Sequence, residues 1–293
     1  MNNNVAVWTM IRNEDYFLKL WISYYGQFVP RENMFIIVDG ADSTLPDGLE
    51  GCQIITFPKG KVAPGWDKRR WEFLSHFASA LTARFDLVVG GDVDELIVLD
   101  PQFGDDPFAH ILADTTAPVI SPFAIELVHR VDLEAPLDQS RPILAQRAFG
   151  RINMWYSKPC IIRAPIRWSL GQHFSTHPEL HLSQKLFLFH LRYLDHDMLL
   201  RRQKLRMAHV SDADGAVVSG VAGVGWQQEA SEISDFLHSF VTHGPPVETN
   251  FAFGPLRKRM YRGWEKGRGG FWKHARVHRM TTYRIPERFR TAF

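Results

Sequence analysis

Two cysteines in 293 residues, no apolar run long enough to cross a bilayer and a formal net charge of only +2 remove several function classes at once. Cys52 and Cys160 lie far apart and form no metal-ligand spacing. They exclude a disulfide scaffold or a cysteine zinc site and read as two buried free thiols in a reducing compartment. A spanning helix needs roughly 20 consecutive apolar residues, and no stretch approaches that length. The small net charge supplies no global field for nucleic acid, and no nucleic-acid motif is present, so no such partner is expected. Met1-Asn2-Asn3-Asn4 runs straight into a strand-like segment with no basic n-region or apolar h-region, so no secretory signal is expected and the cytoplasm is the expected location. Internal repeats and low-complexity tracts are also missing. What is present is the balance of a globular chain, 45% hydrophobic and 23% charged, with nine Trp and 21 Phe, more aromatic mass than a minimal core requires.

The first hundred residues alternate between two periodicities. Val5 to Ile11 reads as a strand, and Glu14 to Gln27 as a helix with Phe17, Leu18, Trp21, Ile22 and Tyr25 at helical spacing. Met34 to Val38 and Gln53 to Phe57 read as further strands, closed by Asp39-Gly40 and Pro58. An amphipathic helix is expected from Trp66 to Arg84, then a buried strand over Phe85 to Val89. Strands alternating with helices predict an α/β fold with a mostly parallel central sheet flanked by helices.

Gly90-Gly91-Asp92-Val93-Asp94-Glu95 follows that last strand and is the most informative stretch of the chain. Two glycines are expected to allow a tight turn, and alternate residues of an extended segment point the same way, so Asp92 and Asp94 converge. Two carboxylates at the carboxyl end of a strand, where open α/β sheets bind ligands, suit a hard cation that also takes phosphate oxygens. Arg12-Asn13-Glu14 ends the first strand on the same sheet edge. Asn13 there is either a helix N-cap or a ligand-facing group. Asp39-Gly40-Ala41-Asp42-Ser43 closes the second strand, either as an ordinary turn or with Asp39 and Asp42 turned to a ribose or base.

Arg12-Asn13-Glu14 before a helix containing Leu18, Trp21 and Tyr25, the Asp39–Ser43 turn, and Asp92-Val93-Asp94-Glu95-Leu96 together resemble a GT-A glycosyltransferase of the family-2-like group. The resemblance is firm over residues 5–100, weaker to about 210 and absent beyond. It implies a GT-A, Rossmann-like domain over residues 1–215, with a nucleotide-sugar-binding half (1–115) and an acceptor half (116–215). Residues 216–293 would form a flexible loop, Gly215 to Gly225, and a basic aromatic extension. It implies a nucleotide-diphosphate-sugar donor, Mn²⁺ or Mg²⁺ on Asp92 and Asp94, and transfer with inversion to a glycan or lipid-linked acceptor. Arg12, Asn13, Glu14, Asp39 and Asp42 would address the nucleoside, and Lys68 or Arg69 the diphosphate or donor sugar. His190, ending the apolar run Leu186 to Phe189, sits where such enzymes place a late metal-ligating histidine; otherwise it is a core histidine. Asp195 and Asp197, before a basic helix over Asp197 to Ala208, stand where the family carries its base, though Asp-His-Asp replaces Glu-Asp. Either can instead cap that helix.

Other features keep two readings. His173, His177 and His181 recur every fourth residue, yet Pro178 interrupts a helix there and a loop fits as well. Ser157-Lys158-Pro159 and Trp168 to His173 line an acceptor or belong to the core. The tail from Phe251 to Phe293 is a solvated basic face, an anionic-acceptor site, or a peripheral membrane contact anchored by Trp264, Phe271 and Trp272. Two competing functions remain on the Asp-x-Asp pair. One is a metal-dependent phosphohydrolase of haloacid-dehalogenase-like type, with Asp92 as nucleophile, although the motif follows three strands rather than one. The other is a nucleotide-sugar-binding protein without turnover.

Overall fold

The computed structural model describes residues 4–60, 62–211, 218–221, 224–226 and 228–293. The expected Gly215–Gly225 loop therefore lies partly outside the described residues. The chain opens with β1 (Val5–Ile11), α1 (Asp15–Tyr25), β2 (Met34–Asp39), β3 (Gln53–Phe57), α2 (Trp66–Leu81), β4 (Leu87–Gly91) and β5 (Glu95–Leu99). It continues with α3 (Pro107–Asp114), β6 (Val119–Val128), β7 (Phe149–Asn153), β8 (Ile161–Ile162), β9 (Leu182–Tyr193) and α4 (His196–Val210). It ends with α5 (Ala230–Thr242), α6 (Gly254–Arg262), β10 (Glu265–Lys266), β11 (Trp272–Lys273) and β12 (His278–Arg284). Among the described residues, ten strands form one sheet in the order β12-β7-β6-β8-β4-β1-β2-β3, with β9 joining β5 to β6.

The fold is α/β, but the sheet is mixed rather than mostly parallel. β4, β1, β2 and β3 run parallel. The short β8 then pairs antiparallel with both β4 and β6, and β7 and β12 continue antiparallel. The departure begins where the periodicity loosens after Ala117, because strands there are joined by irregular loops rather than by helical crossovers.

Period-two alternation explains the layering of the parallel half. Val5 and Val7 of β1 share a buried cluster with Phe17, Leu18 and Trp21 of α1. Ala6 and Trp8, one residue out of phase, pack with Trp71 and Leu74 of α2 on the opposite face. Each such large apolar side chain contributes roughly 1.5–3 kcal/mol when fully buried. Gly90 and Gly91 lie inside β4 rather than in a turn. Gly90 is required because a Cβ there would overlap the indole of Trp8. Trp168, a candidate acceptor residue by sequence, is 3% exposed and packs on Trp8 with ring centroids 5.8 Å apart. It belongs to the core.

The C-terminal residues are woven into the same body. Phe251, Met260, Val277, Ile285 and Phe289 join the cluster that holds α1, and β12 forms the sheet edge beside β7. Cys52 and Cys160 are both free; Cys160 is buried and Cys52 half-buried. Among the described residues no helix is long and apolar enough to cross a membrane.

Candidate functional site

A cleft of about 260 Å³ opens at the carboxyl ends of β1, β2 and β4. That edge is where an α/β sheet exposes strand-end loops and binds ligands. β1 delivers Arg12, Asn13 and Glu14, β2 delivers Asp39, and the turn after β4 delivers Asp92 and Asp94. The two aspartates do converge, but through a turn rather than an extended segment, since Glu95 N donates to Asp92 O at 3.1 Å. The far wall comes from α2, α4 and the residues after α4: Trp66, Arg70, Arg202, Arg206, His209 and Trp226, with Lys59 beside them.

Both aspartates are held by buried cations. Lys158, 0% exposed, places Nζ 3.0 Å from Asp92 Oδ2 and 2.6 Å from Glu95 Oε1. Arg202 donates to Asp94 Oδ2 at 2.7 Å, reaches Glu14 at 2.8 Å, and lies 4.1 Å over the Phe17 ring. Arg206 adds a guanidinium 3.6 Å from Asp94. Burial pushes the Asp94 carboxyl up, but Arg202, His190 and Arg206 outweigh it and hold the group far below the usual range. Burial likewise opposes ionisation of Asp92, and the attraction of Lys158 and Arg70 still leaves its pKa lowered. Burial pushes the Glu95 carboxyl up to about 8 despite Lys158. Glu95 is 4% exposed and does not border the cleft that its two motif partners line.

At the other end, Arg12 forks onto Asp42 at 3.0 and 2.6 Å and donates to the Asp39 carbonyl at 2.6 Å. Gly40, with φ near 100°, makes this crossing feasible, because a side chain there would run into the Arg12 guanidinium. Hydrogen bonding to Arg12 lowers the Asp42 carboxyl to about 2. Asn13 is not an N-cap: it takes φ 53° and its Oδ1 accepts from Thr44 N at 3.0 Å, tying the two strand-end loops together.

The other sequence candidates separate. Lys68 and Arg69 are exposed and do not border the cleft; their neighbour Arg70 does, stacked 5.4 Å from Trp66 and 5.9 Å from Trp226. One residue on a helix is a rotation of about 100°, which decides the difference. Asp195 caps α4 by accepting from Met198 N at 3.0 Å, and Arg147 pairs with its other oxygen at 3.2 Å. Asp197 is 70% exposed beside His196. Neither borders the cleft. His190 is 4% exposed, stacked 4.0 Å from Tyr156, with Nδ1 3.0 Å from Glu126 Oε1. His173, His177 and His181 lie on a loop rather than one helical face. Burial lowers the His173 pKa to about 3.

Sequence reasoning missed Arg70, Arg202, Arg206, His209, Trp66 and Trp226 as cleft residues. For α4 a signal existed: Arg202, Arg206 and His209 recur at i, i+4 and i+7, one helical face, and that face is the cleft wall. The sequence offered Ser157-Lys158-Pro159 as acceptor lining or core, and nothing in the local pattern showed that Lys158 would pair with Asp92 and Glu95, which depends on the loop between β7 and β8.

Two carboxylates, Asp92 and Asp94, border the cleft side by side with Glu14 and Asp39. Lys158 and Arg202 each take Oδ2 of their aspartate, and Mg²⁺ or Mn²⁺ is commonly held by one or two carboxylates with phosphate oxygens and water completing the sphere. Among the described residues no group of three or more His, Cys, Asp or Glu side chains gathers as a protein-only metal cage. No protein-family model matches the chain, and no curated protein matches its sequence.

Proposed function

We propose that this protein is a glycosyltransferase of GT-A type, moving a sugar from a nucleoside-diphosphate sugar bound in the cleft to a hydroxyl of a glycan or lipid-linked acceptor. The observation that carries this reading is the juxtaposition, in one strand-end cleft, of Asp92 and Asp94 with Arg70, Arg202 and Arg206. A departing nucleoside diphosphate gains negative charge as the glycosidic bond breaks, and cations fixed in a partly dehydrated cleft stabilise that state over the ground state. Arg206 suits this role: its nearest carboxylate is 3.6 Å away and its guanidinium lies 5.6 Å over Trp226. Arg70 brings a second guanidinium from α2, anchored to Asp67 at 3.0 Å. Arg12, Asn13 and Asp39 form the nucleoside end. Asp92 and Asp94 would hold Mn²⁺ or Mg²⁺, which supplies Lewis-acid charge at the diphosphate. Lys158 and Arg202 keep the two carboxylates in place.

A second reading, donor binding without turnover, is favoured by one placement: neither Asp195 nor Asp197 borders the cleft. One experiment separates the readings. Thermal stability is measured with a panel of nucleoside diphosphates and nucleotide sugars, each with Mn²⁺ or EDTA, and the stabilising sugars are then assayed for nucleoside diphosphate release. Stabilisation that EDTA abolishes, with release, supports the transferase. Stabilisation without release for any acceptor supports the binding protein. No stabilisation by any nucleotide refutes both.

A further inference from the structure

The small net charge of the chain hides a strong segregation. Residues 255–284 carry ten Lys and Arg against one acidic residue, whereas the rest of the chain carries 24 against 31. The fold gathers much of this charge on one connected surface. Gly263, just past α6, abuts Ala275, while Glu265 and Lys266 of β10 pair with Lys273 and Trp272 of β11. Arg262, Lys266, Arg268 and Arg276 are therefore exposed on adjoining pieces of backbone. The one acid, Glu265, is taken by Lys273 at 3.0 Å. Among the described residues, none of those four cations has a carboxylate within ion-pair distance.

Aromatic side chains are set among these cations. Trp264 and Trp272 stack with centroids 6.2 Å apart at 22°, both half-buried, and Phe271 beside them is half-buried as well. The indole N–H of Trp264 donates to Pro178 O at 2.7 Å, so its polar edge is satisfied within the protein. Tyr261, at the end of α6, is 50% exposed. Unpaired cations around tryptophan and tyrosine rings form the composition that anchors proteins at a headgroup layer, where aromatic bodies enter the interface and the charges meet anionic lipid.

We propose that the surface formed by the end of α6, the β10–β11 hairpin and residues 274–276 docks on an anionic lipid bilayer. The inference does not rest on the donor-site reading, and it is tested without nucleotide. Full-length protein is sedimented with vesicles of pure phosphatidylcholine and of phosphatidylcholine containing 30% phosphatidylglycerol, at low and high salt. The expected result is binding to the anionic vesicles alone, weakened by salt. A basic side chain near such a surface strengthens binding roughly five-fold, so the triple reversal Arg262→Glu, Lys266→Glu, Arg268→Glu should weaken it by a hundred-fold or more. A charge-matched control, Lys19→Glu, Arg84→Glu, Arg141→Glu, reverses three exposed cations elsewhere and should retain most of the binding. Unchanged melting temperatures in both variants keep the comparison on the surface rather than the fold. Equal loss in the two variants, equal binding to neutral vesicles, no binding to either vesicle, or tighter binding to single-stranded RNA at the same salt would each overturn the proposal.

Discussion

Arg202→Met probes the tie between the two halves of the cleft. Arg202 leaves α4 and neutralises Asp94, 2% exposed, at 2.7 Å and Glu14, 20% exposed, at 2.8 Å. Methionine retains the stem over Phe17 but leaves Asp94 with Arg206 at 3.6 Å as its remaining close cation. Removing one partner of a buried ion pair costs about 3–5 kcal/mol, and Asp94 should account for most of it because Glu14 retains solvent. The pH dependence has a definite sign. In the native protein the Asp94 pKa is depressed, so its contribution is present above the unfolded value of about 3.9 and disappears only as pH falls through the much lower folded value. In the variant, burial is opposed only by His190 and Arg206, and the pKa rises. Lowering the pH from neutrality then protonates Asp94 and recovers part of the loss. Urea unfolding at pH 7 and pH 4.5 should show the gap between native and variant narrowing with acid. Arg202→Met combined with Asp94→Asn should cost less than the sum of the two single changes, by about 1–3 kcal/mol. A loss below 1 kcal/mol at pH 7, a gap that stays constant, or strict additivity would refute the assignment of Arg202 as the stabilising partner of Asp94.

Three further outcomes are expected. Because Lys158 and Arg202 already balance both aspartates, Mn²⁺ alone should bind weakly and a nucleoside diphosphate should tighten it; Mn²⁺ titration followed by electron paramagnetic resonance, with and without the nucleotide, would contradict this if the affinity did not change. Arg70→Ala and Arg206→Ala should each weaken nucleoside diphosphate binding about ten- to hundred-fold in calorimetry, the scale of one hydrogen bond to a charged group, whereas Lys68→Ala and Arg69→Ala should leave it nearly unchanged. Burial and the nearby Lys59 lower the His209 pKa to about 4, so its neutral form gives stability above an unfolded value of about 6.5 that is lost as pH falls toward 4. His209→Gln should flatten that acid limb in thermal melts recorded between pH 7 and pH 4, and an unaltered limb would count against it.

The parallel half was legible because each of its elements carries its own period. β1, β2, β3, α1 and α2 fall where alternation or helical spacing put them, within a few residues at the ends. β5, α3, β7, α5 and β12 were not read: β5 follows the Asp-x-Asp turn without a break, and β7 and β12 mix charged residues into short strands whose partners lie far away in the chain. Of the site, the strand-end residues Arg12, Asn13, Glu14, Asp39, Asp92 and Asp94 all border the cleft, because position along a strand determines which sheet edge a residue reaches. Lys68 and Arg69 give way to Arg70, which lies two and one residues further along α2.

By itself the sequence determined the alternation of strands and helices, the strand ends that carry polar residues, and the segregation of positive charge toward the C-terminus. These are local properties, set by side-chain period and composition. Only the tertiary structure decided that the sheet is mixed, that Arg202 and Arg206 of α4 close over carboxylates more than a hundred residues earlier, that Lys158 is buried beneath Asp92, and that Asp195 is occupied as a helix cap. Such partnerships come from packing between elements distant in the chain. A charge finds its counter-charge only when the hydrophobic faces around it have already fixed where both must lie.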